Sequence, residues 1–186
     1  MTAEEVLQIV LEQLDTHDIP YMVSGSFASN LHGVPRATQG ADIVIVASPS
    51  SLTKFLADIQ DTFYADSEVA LEELQQRRMF NTVHLETGFK IDFIIRKARP
   101  FSEEEFKRRR IVKFLGKSRW FSSPEDTILT KLEWSQMTSS ERQFTDAVNI
   151  AKIQGKNLDL TYLQHWASEL NITATFNKLL EDRRQT

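Results

Sequence analysis

The sequence predicts an α+β fold: a small mixed β-sheet flanked by helices over residues 1–121, followed by a helical lobe over 122–186. Three observations carry this. Amphipathic segments with helical spacing alternate with short β-branched runs as far as Phe121. Two of those runs, "FNTVHLE" and "FKIDFIIRK", are parted only by "TG", which predicts a hairpin. From Ser139 onward the composition reads helical throughout.

Taken in order, Val6, Ile9, Val10 and Leu14 recur at helical spacing and predict a first helix from Thr2 or Ala3 to about Thr16. "IPYMVSG" reads as a short strand ending on glycine. "SFASNLHG" follows as a helix, with Ser24 or Ser26 as its cap and Gly33 as its stop. "ADIVIVA" is β-branched, bounded by the turn "SPSS", and leads to a helix from about Ser50 to Asp61. "SEVALEELQQRRM" is rich in helix formers and precedes the hairpin. After Pro100, "SEEEFKRRR" reads as a helix with acids at its start and bases at its end, matching the helix dipole. "IVKFLGKSRWF" reads as a further strand pair, and "SSPEDTILTKLEW" opens a helix with a cap, a proline and two acids. Three more helical stretches, "SERQFTDAVNIAKIQG", "DLTYLQHWASEL" and "ITATFNKLLEDRR", complete the lobe.

Composition narrows the class. The chain of 186 residues has 41% apolar and 26% charged residues and no cysteine, which excludes disulfides and thiolate metal sites and agrees with a reducing, cytoplasmic setting. No apolar run approaches the roughly 18 residues needed to span a bilayer, so no membrane partner is expected. The start, "MTAEEVLQIVLEQL", is acidic and amphipathic and does not read as a secretory signal. Net charge is −4, but residues 90–119 hold eleven of the 22 Lys and Arg against four acids. A basic region on an acidic chain suits a polyanion such as a nucleoside triphosphate or an RNA end; a solvated helix face gives the same pattern.

Four features can carry chemistry. In "VSGS" a strand ends at Gly25-Ser26 and a helix begins, so backbone amides face outward where phosphate oxygens bind. Asp42 lies on an aliphatic strand and shares a face with Gly40 and Val44, because strand side chains alternate. An acid there is costly unless it is paired, hydrogen-bonded or bound to a cation. Asp92 in "KIDFIIR" has the same character, and two neighbouring strands about 4.8 Å apart would bring both carboxylates to one Mg²⁺. Lys131, on an apolar helix face, reads either as a phosphate contact or as a snorkelling lysine, with Arg142 and Asp146 on the next helix. There is no Walker loop, GxGxxG, GxSxG or HExxH.

Together, "YMVSGSFASNLHGVPRATQGADIVI", "GFKIDFII" and "SPEDTILTKLEW…SERQFTDAVNI" resemble the DNA polymerase beta-like nucleotidyltransferases, in particular the AbiEii type of bacterial toxin–antitoxin systems, over roughly Val6 to Leu170. The resemblance implies a nucleotidyltransferase-type sheet whose helical lobe closes over the nucleotide. It also implies Mg²⁺-dependent transfer of a nucleoside monophosphate from an NTP to a hydroxyl on RNA, protein or a small molecule, with an antitoxin protein as partner. On this chain Gly25 and Ser26 match the phosphate turn, while Asp42 and Asp92 match the second and third metal-binding acids. Lys131 matches a lysine near the phosphates, Asp146 a recurring acid, and Arg36 and Thr38 the "R-x-T" before the acid pair. The first acid should fall at position 40, where this chain has glycine. One Mg²⁺ carried with the triphosphate suits two carboxylates; a second, about 4 Å away, is harder to hold. Two other readings follow: a catalytically impaired nucleotide-binding or protein-interaction module of the same fold, and an RNA-binding protein using residues 90–119.

Overall fold

The computed structural model describes residues 1–184; positions 185 and 186, the end of the predicted lobe, lie outside the described residues. The chain divides into two compact units, one of Met1–Ser26 with Ala37–Phe121 and the other of Phe27–Arg36 with the described residues from Ser122 onward. Residues 27–36 therefore group with the C-terminal helices rather than with the sheet around them in sequence.

The first unit is built on a seven-stranded mixed sheet with the strands β1 (Tyr21–Ser24), β2 (Gly40–Ile45), β3 (Phe63–Tyr64), β4 (Met79–His84), β5 (Lys90–Ile95), β6 (Arg110–Phe114) and β7 (Lys117–Phe121). Their order across the sheet is β3-β4-β5-β2-β1-β7-β6. Two contacts are parallel, β2 with β5 and β1 with β7, and the rest antiparallel. The predicted hairpins are present as β4/β5 and β6/β7, although the first turns through Leu85–Phe89 instead of a two-residue loop. β3, only two residues long, was not read from the sequence, because so short a run carries no period.

Helices α1 (Ala3–Thr16) and α3 (Pro49–Ile59) start as their sequences direct, with capping boxes at Thr2/Glu5 and Ser48/Ser51. Their apolar stripes, among them Val6, Val10 and Leu14 on α1 and Leu52, Phe55 and Leu56 on α3, are buried. Alternation places Ala41, Ile43 and Ile45 of β2 on one sheet face with Ile91, Phe93 and Ile95 of β5, and all six are buried. α3 covers that face: the Phe55 ring meets Phe93 edge-on at 5.5 Å, and Phe80 stacks on Phe93 at 4.9 Å. Helix α4 (Ser67–Gln76) is capped by Asp66 and ends on left-handed Arg77. α5 (Pro100–Lys107) stops before the "RRR" run, since Arg110 already begins β6.

On the opposite sheet face Met22, Val44 and Ile94 gather beneath Phe106 of α5, so one half of that face is apolar. The other half carries Ser24, Gly40, Asp42, Lys90 and Asp92, a composition no core would take.

The second unit contains α2 (Gly25–His32, from Phe27 on), α6 (Pro124–Thr138), α7 (Glu141–Gln154), α8 (Leu160–Glu169) and α9 (Thr173–Asp182), with a short 3₁₀ turn at Gly155–Asn157. α6 starts as predicted, with Ser123 accepting from the Asp126 amide and proline in the first turn. His32 Nε2 lies 2.7 Å from the Ser122 carbonyl, and Gln154 Nε2 donates to the His32 carbonyl at 2.8 Å. At Gly33 the backbone approaches Ile150 so closely that a Cβ would stand 3.0 Å from its side chain. These contacts draw residues 27–36 into this unit. Among the described residues no helix is long and apolar enough to cross a membrane.

Candidate active site

The polar half of the sheet face brings four sequence-predicted residues of the first unit together. β2 and β5 run parallel with Asp42 directly beside Asp92 and Gly40 directly beside Lys90, while Ser24 of β1 stands opposite Asp42. Alternation puts the Asp42 and Asp92 side chains on the same face, on strands about 4.8 Å apart. Both carboxylates are only partly exposed. At the end of β1 the backbone turns sharply into α2 through Gly25 at φ +56°, a left-handed conformation that favours glycine. The Asp42 carboxylate lies against that glycine, where any Cβ would overlap it. Ser26 follows in the first turn of the helix.

The approach to β2 is held by Thr38, whose hydroxyl donates to the Gly40 carbonyl at 2.8 Å and accepts from the Gly40 amide at 3.4 Å. Gly40 itself stands in a narrow place: a Cβ there would be 2.9 Å from the Lys90 carbonyl oxygen. The absence of a side chain is thus matched by close approach of β2 and β5.

Lys90 is a member of this group that the sequence reading counted only as one base of the basic region. Its Nζ lies 2.8 Å from Asp92 Oδ1, with side-chain exposures of 47% and 22%. The approach is off the line of a hydrogen bond, and that buried oxygen has no hydrogen-bond donor. The i, i+2 spacing was the available signal, since it places both side chains on one face of a strand. Beside the pair is a hollow of about 610 Å³, lined in part by Gln39, Gly40, Thr87, Gly88, Phe89 and Lys90; Asp42 and Asp92 do not line it.

In the second unit Lys131 and Asp146 meet, but not at the surface. Lys131 Nζ is 2.8 Å from Asp146 Oδ2 and 2.8 Å from Gln143 Oε1, with side-chain exposures of 4% for the lysine and 9% for the acid. Arg36 closes the other side of the carboxylate in a two-pronged contact, Nε to Oδ1 at 3.2 Å and Nη2 to Oδ2 at 2.9 Å. The snorkelling reading of Lys131 therefore gives way to a buried ion pair, and the partners of Asp146 are Lys131 and Arg36. Burial pushes the Asp146 carboxyl up, but the hydrogen bonds from Arg36 and Lys131 outweigh it and hold the group below the ordinary carboxylate value. The same bond from Asp146 holds the Arg36 guanidinium above its ordinary value.

Several bases of residues 90–119 are already engaged. Arg119, 4% exposed, ion-pairs with Asp15, and Lys117 with Glu12, both on α1. The Arg109 guanidinium lies 4.2 Å over the Phe106 ring and 4.7 Å from that of Trp120, and burial lowers its proton affinity.

The donor set bears on the divalent metal that the sequence resemblance implies. Two adjacent carboxylates, one with a buried oxygen lacking a hydrogen-bond donor, fit one hard divalent ion that takes its remaining ligands from phosphate and water. They do not fit two ions, because among the described residues no three His, Cys, Asp or Glu side chains gather.

No family model matches the chain, and no curated protein does. Solved structures do. An antigenic nucleotidyltransferase-like protein from Paracoccidioides brasiliensis superposes with a TM-score of 0.63 at 17% identity, over 98% of this chain and 92% of that one. ANT(2")-Ia in complex with adenylyl-2"-tobramycin gives 0.61 at 11% identity, over 92% and 98%. The lincosamide antibiotic adenylyltransferase LnuA, lincomycin-bound, gives 0.54 at 12% identity, over 79% and 95%. The chain has the nucleotidyltransferase fold.

Proposed function

We propose that this chain binds a nucleoside triphosphate with one Mg²⁺ at Asp42 and Asp92 and transfers the nucleoside monophosphate to an acceptor hydroxyl. The observation that carries the reading is the in-register pair of carboxylates on neighbouring parallel strands, on a half-open sheet face, beside the left-handed Gly25 turn. A bound Mg²⁺ would supply charge neutralisation for the transferring phosphoryl group. The chain's own groups do the rest. The Gly25 turn lets a phosphate approach the backbone at the start of α2, where Ser26 and the exposed amides meet it. Asp42, resting against Gly25, would be one of the two carboxylates that hold the metal. Asp92 presents its unsatisfied oxygen on the same face.

For Lys131 the resemblance to the AbiEii type implies a phosphate contact, and within the second unit its ammonium is held by Asp146 and Gln143. The same resemblance supports an antitoxin protein as partner and the cytoplasm, where NTP and Mg²⁺ are supplied, as the setting. For the acceptor, one protein of like fold is a lincosamide antibiotic adenylyltransferase bound to lincomycin and another is in complex with adenylyl-2"-tobramycin, which favours a small-molecule hydroxyl over RNA. The engagement of Arg119, Lys117 and Arg109 inside the first unit also weighs against residues 90–119 as an RNA surface.

Gly40 supports a second reading, a nucleotide-binding module with impaired transfer, since the strand spacing there leaves no room for the first acid. Isothermal titration with ATP, CTP, GTP and UTP, with and without Mg²⁺, followed by transfer of label from α-labelled NTPs, separates the two. The proposed reading requires Mg²⁺-coupled binding that Asp42→Asn abolishes, and label transfer. Binding without transfer selects the module; no heat with any nucleotide removes both.

A further inference from the structure

The site contains a cation of its own. Lys90 and Asp92 are two apart on β5, so their side chains share the face that carries Asp42, and the ammonium stands 2.8 Å from Asp92 Oδ1. The sheet register places Lys90 directly beside Gly40, so the ammonium enters from the side on which residue 40 has no side chain. On the far side of β5, the β4 residues in register with Asp92 and Lys90 are Asn81 and Val83, neither of them charged. Of the described residues in register with Asp92 or two apart from it on β5, Lys90 is the one cation.

We propose that Lys90 is a resident counter-ion that competes with a divalent metal for Asp92 and sets the metal affinity of the site. This rests on the metal-and-nucleotide reading above for the kind of ligand the carboxylates serve. A divalent ion taking Oδ1 of Asp92 would meet the ammonium 2.8 Å from that oxygen, and repulsion between the two cations favours a Lys90 that has swung away. Its half-exposed side chain and flexible stem allow that, since the ammonium end can move into water. A displaced Lys90 remains at the edge of the 610 Å³ hollow it lines, where it meets the anionic ligand arriving with the metal. The lysine thus offsets the charge of Asp92 and becomes a phosphate contact when the site fills.

The test is Mn²⁺ binding at fixed ionic strength, read by the electron paramagnetic resonance of the free ion, on the parent, Lys90→Met, Lys90→Arg and the double variant Lys90→Met/Asp92→Asn. Removing a positive charge beside the ligand tightens Mn²⁺ about tenfold in Lys90→Met, allowing for screening at a half-exposed site. Lys90→Arg keeps parent-like affinity, and the double variant loses the gain. Thermal melts of the metal-free proteins check that all four fold. An affinity for Lys90→Met within twofold of the parent overturns the proposal, as does a gain that survives Asp92→Asn or that Lys90→Arg reproduces. Label transfer is scored separately, on the parent: a parent that transfers nothing, while Lys90→Met gains metal, upholds the counter-ion and defeats the transferase. A parent that transfers label, with metal affinity indifferent to Lys90, does the reverse.

Discussion

Replacing Gly40 by alanine tests the contact between β2 and β5 with one methyl group. The added Cβ would stand 2.9 Å from the Lys90 carbonyl oxygen, whereas ordinary contacts begin at 3.4 Å, so the strands must part by about half an ångström. The atom it meets is backbone in a parallel ladder continuing through Asp42 and Asp92, and it cannot swing aside as a side chain would. Overpacking of this kind costs about 1–3 kcal/mol. Alanine returns about 0.5–1 kcal/mol, because glycine in a strand loses more chain entropy on folding. The net is a loss of about 1 kcal/mol, which lowers the melting temperature by ~2–4 °C in a chain of this size. Differential scanning calorimetry on parent and variant reads it directly. A Gly40→Ala protein that melts at or above the parent temperature would refute the claim that strand spacing, and not chance, keeps this position free of a side chain. Gly40→Asp bears the same steric cost plus repulsion from Asp42, so its melting temperature falls further and Mg²⁺ restores more of it than in the parent.

Asp146→Asn removes the carboxylate that buried Lys131 and half-buried Arg36 share; breaking such a pair costs about 3 kcal/mol, or ~6–12 °C in melting temperature by calorimetry. The same carboxyl gives stability an acid limb: its folded proton affinity is below the ordinary value of 3.8, so its contribution is complete above about pH 4 and is lost as pH falls through the folded value. Urea unfolding from pH 7 to pH 3 should show that limb in the parent and a shallower one in Asp146→Asn. Gly25→Ala places a side chain on a left-handed backbone, costing roughly 1–2 kcal/mol, and pushes Asp42 off its seat. Titration with NTP should show Mg²⁺-coupled binding lost in that variant while the far-ultraviolet circular dichroism is retained.

Most elements were legible because their signals are local. Caps at Thr2, Ser48 and Ser123 and the alternation of β2 and β5 are written within a few residues of where they act. Asp42 and Asp92 could be paired on paper because an acid on an aliphatic strand is conspicuous wherever that strand lies. What could not be read depends on partners distant in sequence. Arg36 and Asp146 are 110 residues apart, and nothing near either one says that they meet. The grouping of residues 27–36 with the C-terminal helices turns on His32 reaching the Ser122 carbonyl and Gly33 touching Ile150. Lys90 is the intermediate case: its spacing from Asp92 is local, but only the register with Gly40 shows what the ammonium stands beside.

The two departures from a three-acid site therefore belong together. A glycine at 40 by itself would leave the site one acid short, and a lysine at 90 by itself would crowd an acid pair with a competing cation. Side by side in register, the glycine admits the close approach of the Lys90 backbone, and the lysine's side chain offsets charge on the carboxylates that remain. Restoring one residue alone leaves the other working against it: an acid at 40 must force apart strands packed around glycine, and its new charge is partly cancelled by the ammonium beside it. Gly40→Asp combined with Lys90→Met removes the ammonium and adds the carboxylate at once. If the two positions are coupled in this way, the double variant binds Mn²⁺ more tightly than the product of the two single effects predicts. Strict additivity would mean that the glycine and the lysine are independent substitutions that only happen to be neighbours.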